Sequence, residues 1–444
     1  MVSLGCPKNL VDSEVMLGLL QGAGYRVCEA PEEAELLLVN TCGFIRSAVD
    51  EAIEEILTLA EYKKNDPTKI LVVAGCLVQR YGAELRRELP EVDLFVGTEG
   101  VRDIVAALEG RHVGADRQLH LPTAAFLMDS NLPRTLTTPA HRAYLKITEG
   151  CDNRCSYCLI PSIRGRLRSR TPEDLLTEAV RLRAAGVQEL TLIAQDLGAY
   201  GRDLDGRPTL VDLLPRLLEG CDIPWLRLLY LHPSRVDRDL LNLMAANPRL
   251  LPYLDIPMQH VSSRILRLMN RPYGSESLTR MVREIRAVLP DAALRTTLMV
   301  GFPGETEDDM RELLAFLEAN RFDHVGVFAY EDEEGSVSAG LPDHCDEAVK
   351  EERRQRVMEV QNRISAERQQ RFVGRIETVL VEGLSRETDL LLEGRTRYQA
   401  PEIDGCVYIT SGTTRPGALI DVRITEAHAY DLVGEMVESG QGDL

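Results

Sequence analysis

The densest chemistry in the chain is Cys151-Asp-Asn-Arg-Cys155-Ser-Tyr-Cys158, three thiols spaced three and then two residues apart. Thiolates at this pitch can hold three irons of a [4Fe–4S] cube. No fourth cysteine lies nearby, so the fourth iron stays open to bind and reduce a substrate. A structural zinc site, or three unrelated cysteines, is the plainer reading. Zinc usually takes four ligands from paired Cys-x2-Cys strings, and this triplet has no partner pair. Tyr157, between the second and third thiols, would lie beside the cluster and shape a ligand pocket.

A second set emerges once strands are marked. Cys6, Cys42 and Cys76 each sit just past a short apolar run that reads as a parallel strand. Ligands of open α/β sheets bind at such strand ends. Cysteine is often simply buried, but three at equivalent strand ends favour a second three-thiolate cluster. Cys28, Cys221, Cys345 and Cys406 show no such pattern and read as ordinary unligated cysteines.

The elements that must position these groups fall into three parts. In the first, strand candidates Val2–Gly5, Ala34–Asn40, Ile70–Ala74 and Leu94–Gly97 alternate with helical stretches Asp12–Gln21, Ser47–Tyr62 and Gln79–Leu89. That pattern predicts a doubly wound parallel sheet covered on both faces. Residues 111–139 have no strong period and carry Pro122, Pro133, Pro139 and a threonine-rich run, which suggests a linker.

A second series of strands follows: Tyr144–Thr148, Glu189–Ala194, Leu226–Leu231, Tyr253–Ile256, Arg295–Val300 and His324–Ala329. Helices separate them, for example Pro172–Ala185, where Thr171 can cap and Pro172 suits the first turn. Six units predict a partial, partly open (β/α)6 barrel with function at the C-terminal strand ends. The charged stretch Asp346–Arg371 reads as a long helix leading out. Beyond it, Phe372–Glu382, Leu390–Leu392, Cys406–Ile409 and Ala418–Ala427 read as strands of a small OB-like β-barrel. The fold class is thus α/β multidomain.

A chain of 444 residues suits two or three domains. No run of 18 residues is apolar and uncharged, which excludes a membrane-spanning helix. The N-terminus lacks the basic and apolar regions of a signal peptide, so a cytoplasmic protein is expected. Ten cysteines are too sparse for a disulfide scaffold. A net charge of −19 repels phosphate backbones and suits a basic partner, although solubility alone also explains it.

The Cys-x3-Cys-x-aromatic-Cys string after a first barrel strand resembles the radical S-adenosylmethionine (SAM) superfamily. That resemblance implies that SAM chelates the open iron through its amino and carboxylate groups. One electron then cleaves it to methionine and a deoxyadenosyl radical. Both triplets, with the three-part order of the chain, resemble the radical SAM methylthiotransferase family over nearly the whole length. This implies a cluster domain at 1–125, a radical SAM domain at 137–371 and a TRAM domain at 372–440. It implies two [4Fe–4S] clusters, on Cys151, Cys155 and Cys158 and on Cys6, Cys42 and Cys76. The second holds sulfur for insertion into a C–H bond, and SAM serves again as methyl donor. A low-potential electron donor and a sulfur donor are implied partners.

Two strings look like the branch that modifies the β-carbon of an aspartate in a small-subunit ribosomal protein. They are Ser3-Leu-Gly-Cys6-Pro-Lys-Asn-Leu-Val-Asp12-Ser-Glu14 and Glu149-Gly-Cys-Asp-Asn-Arg-Cys-Ser-Tyr-Cys-Leu-Ile-Pro-Ser-Ile-Arg-Gly165. The tRNA branch usually carries a Gly-Cys-Gln-Met-Asn string at the first. Family members usually carry a few more residues ahead of the first strand, so a trimmed or mis-started chain is expected here. From Phe372 on, six arginines and no lysine face thirteen acidic residues. A tRNA-binding barrel should be basic, so tRNA is an unlikely partner and a basic ribosomal protein suits the barrel. A capping role for the barrel is the plainer reading.

By resemblance, Gly301, Pro303 and Gly304 in Met299-Val-Gly-Phe-Pro-Gly-Glu305 contact SAM; a plain strand-to-helix turn explains them nearly as well. Gln195-Asp196, Arg235 and Gln259-His260 end barrel strands and suit ribose and carboxylate groups. Arg164, Arg166, Arg168 and Arg170 either grip the carboxylate of a target aspartate or are solvated. Glu331–Glu334 reads as a solvated acidic loop. The rivals are tRNA adenosine methylthiolation and, in another class, a non-catalytic iron–sulfur or RNA-binding protein.

Overall fold

The computed structural model describes residues 1–110, 118–122 and 126–437. Five parallel strands open the chain: Val2–Ser3, Leu36–Thr41, Ile70–Gly75, Leu94–Val96 and Gln118–His120, paired in chain order. The central strands are apolar runs buried on both faces, as parallel sheets require. Leu37, Val39, Leu71, Val73 and Phe95 pack under helices Arg46–Asn65 and Cys76–Glu88. Leu38, Val72, Ala74, Leu94 and Val96 pack under Pro7–Gly22 and Ile104–Gly110. Both faces are therefore covered.

The fifth strand, Gln118–His120, falls inside the stretch expected to be a linker. Its three residues are too few for a period to register. Farther on, Arg134 pairs with Glu14 and with Glu178, each at 2.7 Å, and pins the connection to both neighbouring domains. Residues 111–117 and 123–125 of that stretch lie outside the described residues, as do 438–444 of the tail.

The barrel has six parallel strands in two sheets of three. Arg142–Lys146, Glu189–Ile193 and Trp225–Leu228 form one; Tyr253–Asp255, Ala293–Val300 and His324–Ala329 form the other. Hydrogen bonds from Leu226 N to Arg249 O (2.8 Å) and from Leu231 N to Asp255 O (2.9 Å) join the two. Thr171 does cap helix Pro172–Ala184, accepting from Asp174 N at 3.3 Å. Helix Pro7–Gly22 is buried on nearly every side. Its Val11 and Val15 share one core with Tyr144, Ile193 and Leu229 of the barrel, so the N-terminal sheet and the barrel are packed as one body.

The long helix spans Glu347–Gln369 and does not lead away. Val357, Gln361 and Ile364 are buried against the barrel, and Gln361 donates to Phe322 O at 2.9 Å. Five strands then close a small barrel in the order Ile376–Leu384, Leu392–Thr396, Val407–Ile409, Leu432–Met436, Leu419–Ala427. The last-numbered strand, Leu432–Met436, was not expected from the sequence. This small barrel docks on the N-terminal ends of the larger barrel's strands. Arg395 reaches Glu189 (2.6 Å), Glu402 meets Arg142 (2.9 Å), and Tyr253 donates to Asp404 (2.7 Å). The opposite, C-terminal end of the larger barrel is left for the cysteine loop. No helix among the described residues is long and apolar enough to cross a membrane.

Candidate functional site

The loop Cys151–Cys158 leaves the first barrel strand and folds over the mouth. Gly150 starts it at φ +70°, and a Cβ there would lie 2.1 Å from Arg166 O, so only glycine fits. Cys151 N donates to Gly165 O at 3.1 Å. Ser156 ties the loop to Met269 O (3.1 Å) and Leu268 O (2.8 Å), and Asn270 donates to Arg154 O at 2.6 Å. The three thiols are close enough for their charges to interact. Burial pushes Cys158 up to about 12 and raises Cys151. Such thiols become thiolates when a metal supplies the opposing charge. Tyr157 packs against the barrel core, its ring 6.0 Å from the Arg271 guanidinium.

Beside Cys151 lies a small polar cavity lined by Asn153, Asp196, Arg202 and Arg235. Asn153 donates to Asp196 at 2.7 Å, and Arg235 forms an ion pair with the same carboxylate. Burial raises the Asp196 carboxyl, against the pull of Arg235. Gln195 Oε1, Asp196 Oδ1 and Thr148 Oγ1 are buried without a protein partner. Three orphaned acceptors at the strand ends fit a polar ligand bound there. Gly301 N donates to the buried Glu305 (2.9 Å), and Lys350 lies against Gly301. Gly304 N is held by Asp343 O (2.8 Å), and Pro303 is buried. His260 is wholly buried, 3.4 Å from Glu305, and does not reach the cavity.

The other triplet assembles at the ends of the N-terminal strands. Cys6 immediately precedes helix Pro7–Gly22, Cys42 follows Leu36–Thr41, and Cys76 is the first residue of helix Cys76–Glu88. A Cβ on Gly5 would stand 3.3 Å from Cys42 Sγ, and one on Gly43 would stand 2.9 Å from the Cys76 carbonyl carbon. Cys6 and Cys42, 36 positions apart, and Cys42 and Cys76, 34 positions apart, are thus neighbours. Burial pushes Cys76 up to about 12, with Arg164 pulling against it through its charge and a hydrogen bond. Among the described residues no three His, Cys, Asp or Glu side chains converge on one metal ion. A single zinc needs that convergence; a cube spreads its thiolates over separate irons.

Arg164 stands between the two triplets. It is 2 % exposed and comes from the barrel, yet it reaches Asp12 (3.0 Å) and Asn9 Oδ1 (3.3 Å) of the N-terminal helix. It also contacts Glu149 at 3.1 Å, next to the loop. Lys146 completes the group, donating to Glu149 at 2.8 Å and pairing with Asp12. The arginine run is therefore not a solvated patch. Arg164 and Arg170 are buried, Arg168 pairs with Glu99 (2.7 Å), and Arg166 alone is exposed.

The acidic loop needs a like correction. Glu333 is buried, pairs with Arg80 (2.8 Å) and accepts from Arg46 N (2.6 Å); Glu331 accepts from Ser47 Oγ (3.0 Å). Carboxylates at the N-terminus of helix Arg46–Asn65 answer its unpaired amides. Arg80 also donates to Gly43 O at 3.0 Å, beside Cys42, so the loop latches the barrel rim to the second triplet. The sequence reading passed over Asn153, Lys8, Asp12 and Lys146. Lys146 inside an apolar strand, and Lys8 and Asp12 one turn apart, were the available signals. A surface groove runs along helix Arg46–Asn65, past Ile53, Leu57 and Lys64, and holds none of these residues.

Three family models match the chain: uncharacterized protein family UPF0004 over residues 1–97, the radical SAM superfamily over 145–317 and the TRAM domain over 373–437. Among solved structures, the radical SAM methyltransferase TsrM from Kitasatospora setae, with cobalamin and a [4Fe–4S] cluster bound, matches with a TM-score of 0.54. It is 17% identical, covering 74% of this chain and 72% of that one, a likeness of fold. A curated relative from Desulfotalea psychrophila, ribosomal protein uS12 methylthiotransferase RimO, is 54% identical over 98% of each chain. Its namesake from Geobacter sulfurreducens is 47% identical with the same coverage. With identity this high along nearly the full length, the chain belongs to the family of ribosomal protein uS12 methylthiotransferases, RimO.

Proposed function

We propose that this chain methylthiolates the β-carbon of an aspartate in uS12, with one [4Fe–4S] cluster on Cys151, Cys155 and Cys158 and another on Cys6, Cys42 and Cys76. When bound, the first supplies the electron that cleaves SAM to a radical source and the second the sulfur, a further SAM giving the methyl group. The observation that carries this reading is Arg164, buried between the two triplets and touching residues of both domains.

The chain's own residues bind, orient and exclude. Asn153, Asp196, Arg235 and Gln195 hold the amino, carboxylate and ribose groups of SAM. Tyr157 walls the pocket. The turn through Gly301, Pro303 and Gly304 supports the cofactor's other end. Gly150 lets the cysteine loop close over the mouth, and Glu333 keeps the second triplet facing it. We divide the chain at 1–125, 137–371 and 372–440. The acidic surface suits a basic ribosomal protein met in the cytoplasm, and a low-potential electron donor and a sulfur donor complete turnover.

Anaerobic reconstitution tests the reading. Two cubes give about eight irons per chain, and Cys6→Ala or Cys151→Ala should each leave about four. Mass spectrometry of a uS12 peptide incubated with SAM and reductant should show the methylthio group. A wild-type protein that holds only four irons, or that marks tRNA and not the peptide, would falsify it.

A further inference from the structure

Lys8 carries a charge that no carboxylate among the described residues pairs with. It lies in the first turn of helix Pro7–Gly22, two residues after Cys6, and is 7 % exposed. Among the described residues no hydrogen bond or ion pair reaches its Nζ. Its close neighbour is the Tyr230 ring, whose centroid is 3.2 Å from Nζ. The carboxylates around it are committed elsewhere. Asp12 and Glu149 are held by Lys146 and Arg164. Asp255 is held by Arg295 at 3.0 Å and by Tyr230 N at 3.1 Å. No carboxylate among the described residues is therefore left for its ammonium; Cys6, two residues before it, is the group whose charge favours it most. A buried ammonium gains from a close anion, and a bound carboxylate supplies one with donors still to spare.

Tyr230 is the second observation. It adopts φ +66°, a region that a bulky residue enters only when its surroundings compel it. Those surroundings are the bond to Asp255 and the bond from Leu197 N to Tyr230 O at 3.0 Å. Leu197 follows Asp196 of the polar cavity, so the ring is fixed between that cavity and Cys6. An ammonium resting on an aromatic face keeps donors free.

We propose that Lys8, seated on Tyr230, binds the side-chain carboxylate of the residue to be modified and so selects aspartate. The proposal rests on the function argued above and adds to it the group that recognises the substrate. Lys8 is a binding residue; its ammonium takes no part in breaking the C–H bond.

The test uses reconstituted holoenzyme and two uS12 peptides, one with aspartate at the modified position and one with asparagine there. Anaerobic fluorescence anisotropy reads their affinities. A charge-assisted bond predicts that wild type favours the aspartate peptide by about 10- to 100-fold. Lys8→Met and Lys8→Gln should both abolish the preference, and Lys8→Arg should keep part of it. Iron content and the EPR spectrum of the reduced protein should not change. Undiminished preference in both neutral variants overturns the proposal. So does an altered EPR spectrum or iron count in both, which assigns Lys8 to the cluster on Cys6. A wild-type enzyme that cleaves SAM yet leaves the aspartate peptide unmodified fails the parent reading instead.

Discussion

Arg164 donates to Asp12 across the boundary between barrel and N-terminal domain, at 3.0 Å, with neither side chain more than 4 % exposed. The pair joins the element that follows one cysteine triplet to the helix that follows Cys6 of the other. Its weight lies in what removal would leave behind. Arg164→Met strands Asp12 and Glu149 with one cation, Lys146, between them.

Breaking a buried pair of this kind costs roughly 3–5 kcal/mol. We expect Arg164→Met to lower the unfolding free energy of the protein by that order. We also expect iron near four rather than eight per chain, because Arg164 stands against Cys76. Denaturant unfolding and iron assay check both. A full complement of iron in the variant would show that Arg164 braces the domains without supporting the second cluster.

Gly150→Ala makes a different prediction. Strain at φ +70° adds on the order of 1–2 kcal/mol, and the clash with Arg166 O is with backbone, which cannot swing aside. The loop Cys151–Cys158 must then lift from its seat. Circular dichroism should change little, while the iron held by that loop is lost and SAM cleavage with it. Wild-type levels of deoxyadenosine from the variant would refute this account of the loop.

These residues also show where sequence reading succeeds. The strands of the barrel were legible, with ends shifted by up to three residues, because most are buried apolar runs with helical periodicity after them. The string Cys151, Cys155 and Cys158 stood out because its thiols lie close in sequence, whereas Cys6, Cys42 and Cys76 could be grouped only once the strands before them were marked. Glu333 was misread as solvated, and the solvated alternative was left open for Arg164, because local context makes both look exposed: one sits in Glu-Asp-Glu-Glu, the other in Arg-x-Arg-x-Arg-x-Arg. Their partners, Arg80 and Asp12, are 253 and 152 positions away. Strand Gln118–His120 was missed because three half-buried residues carry no alternation.

Glu333 supports the latch between barrel rim and second triplet. Replacing it with Ala leaves Arg80, 8 % exposed, without its carboxylate, and opens the amide of Arg46. Loss of a buried partner is worth about 3 kcal/mol. Hydrogen exchange should rise at the start of helix Arg46–Asn65 and around Gly43, with the small C-terminal barrel unaffected. Uniform protection in the variant would argue that the latch is incidental.

The docking of that small barrel should be acid-sensitive through Glu382. Burial raises this carboxyl, but the hydrogen bond from His141 (2.9 Å) and the charges of Arg395 and Arg142 outweigh it and bring it down to about 2. The usual value is 4.5. A depressed carboxyl contributes stability that is complete above pH 4.5 and is lost as pH falls toward 2. The full span corresponds to about 3 kcal/mol. Limited proteolysis of the apoprotein between pH 5 and pH 3 should show residues after 372 becoming cleavable first. Glu382→Gln removes the titrating group, so its docking should be weaker at neutral pH and flatter through the acid range. An acid profile identical to wild type would mean that other carboxylates, such as Glu189 beneath Arg395, govern the interface.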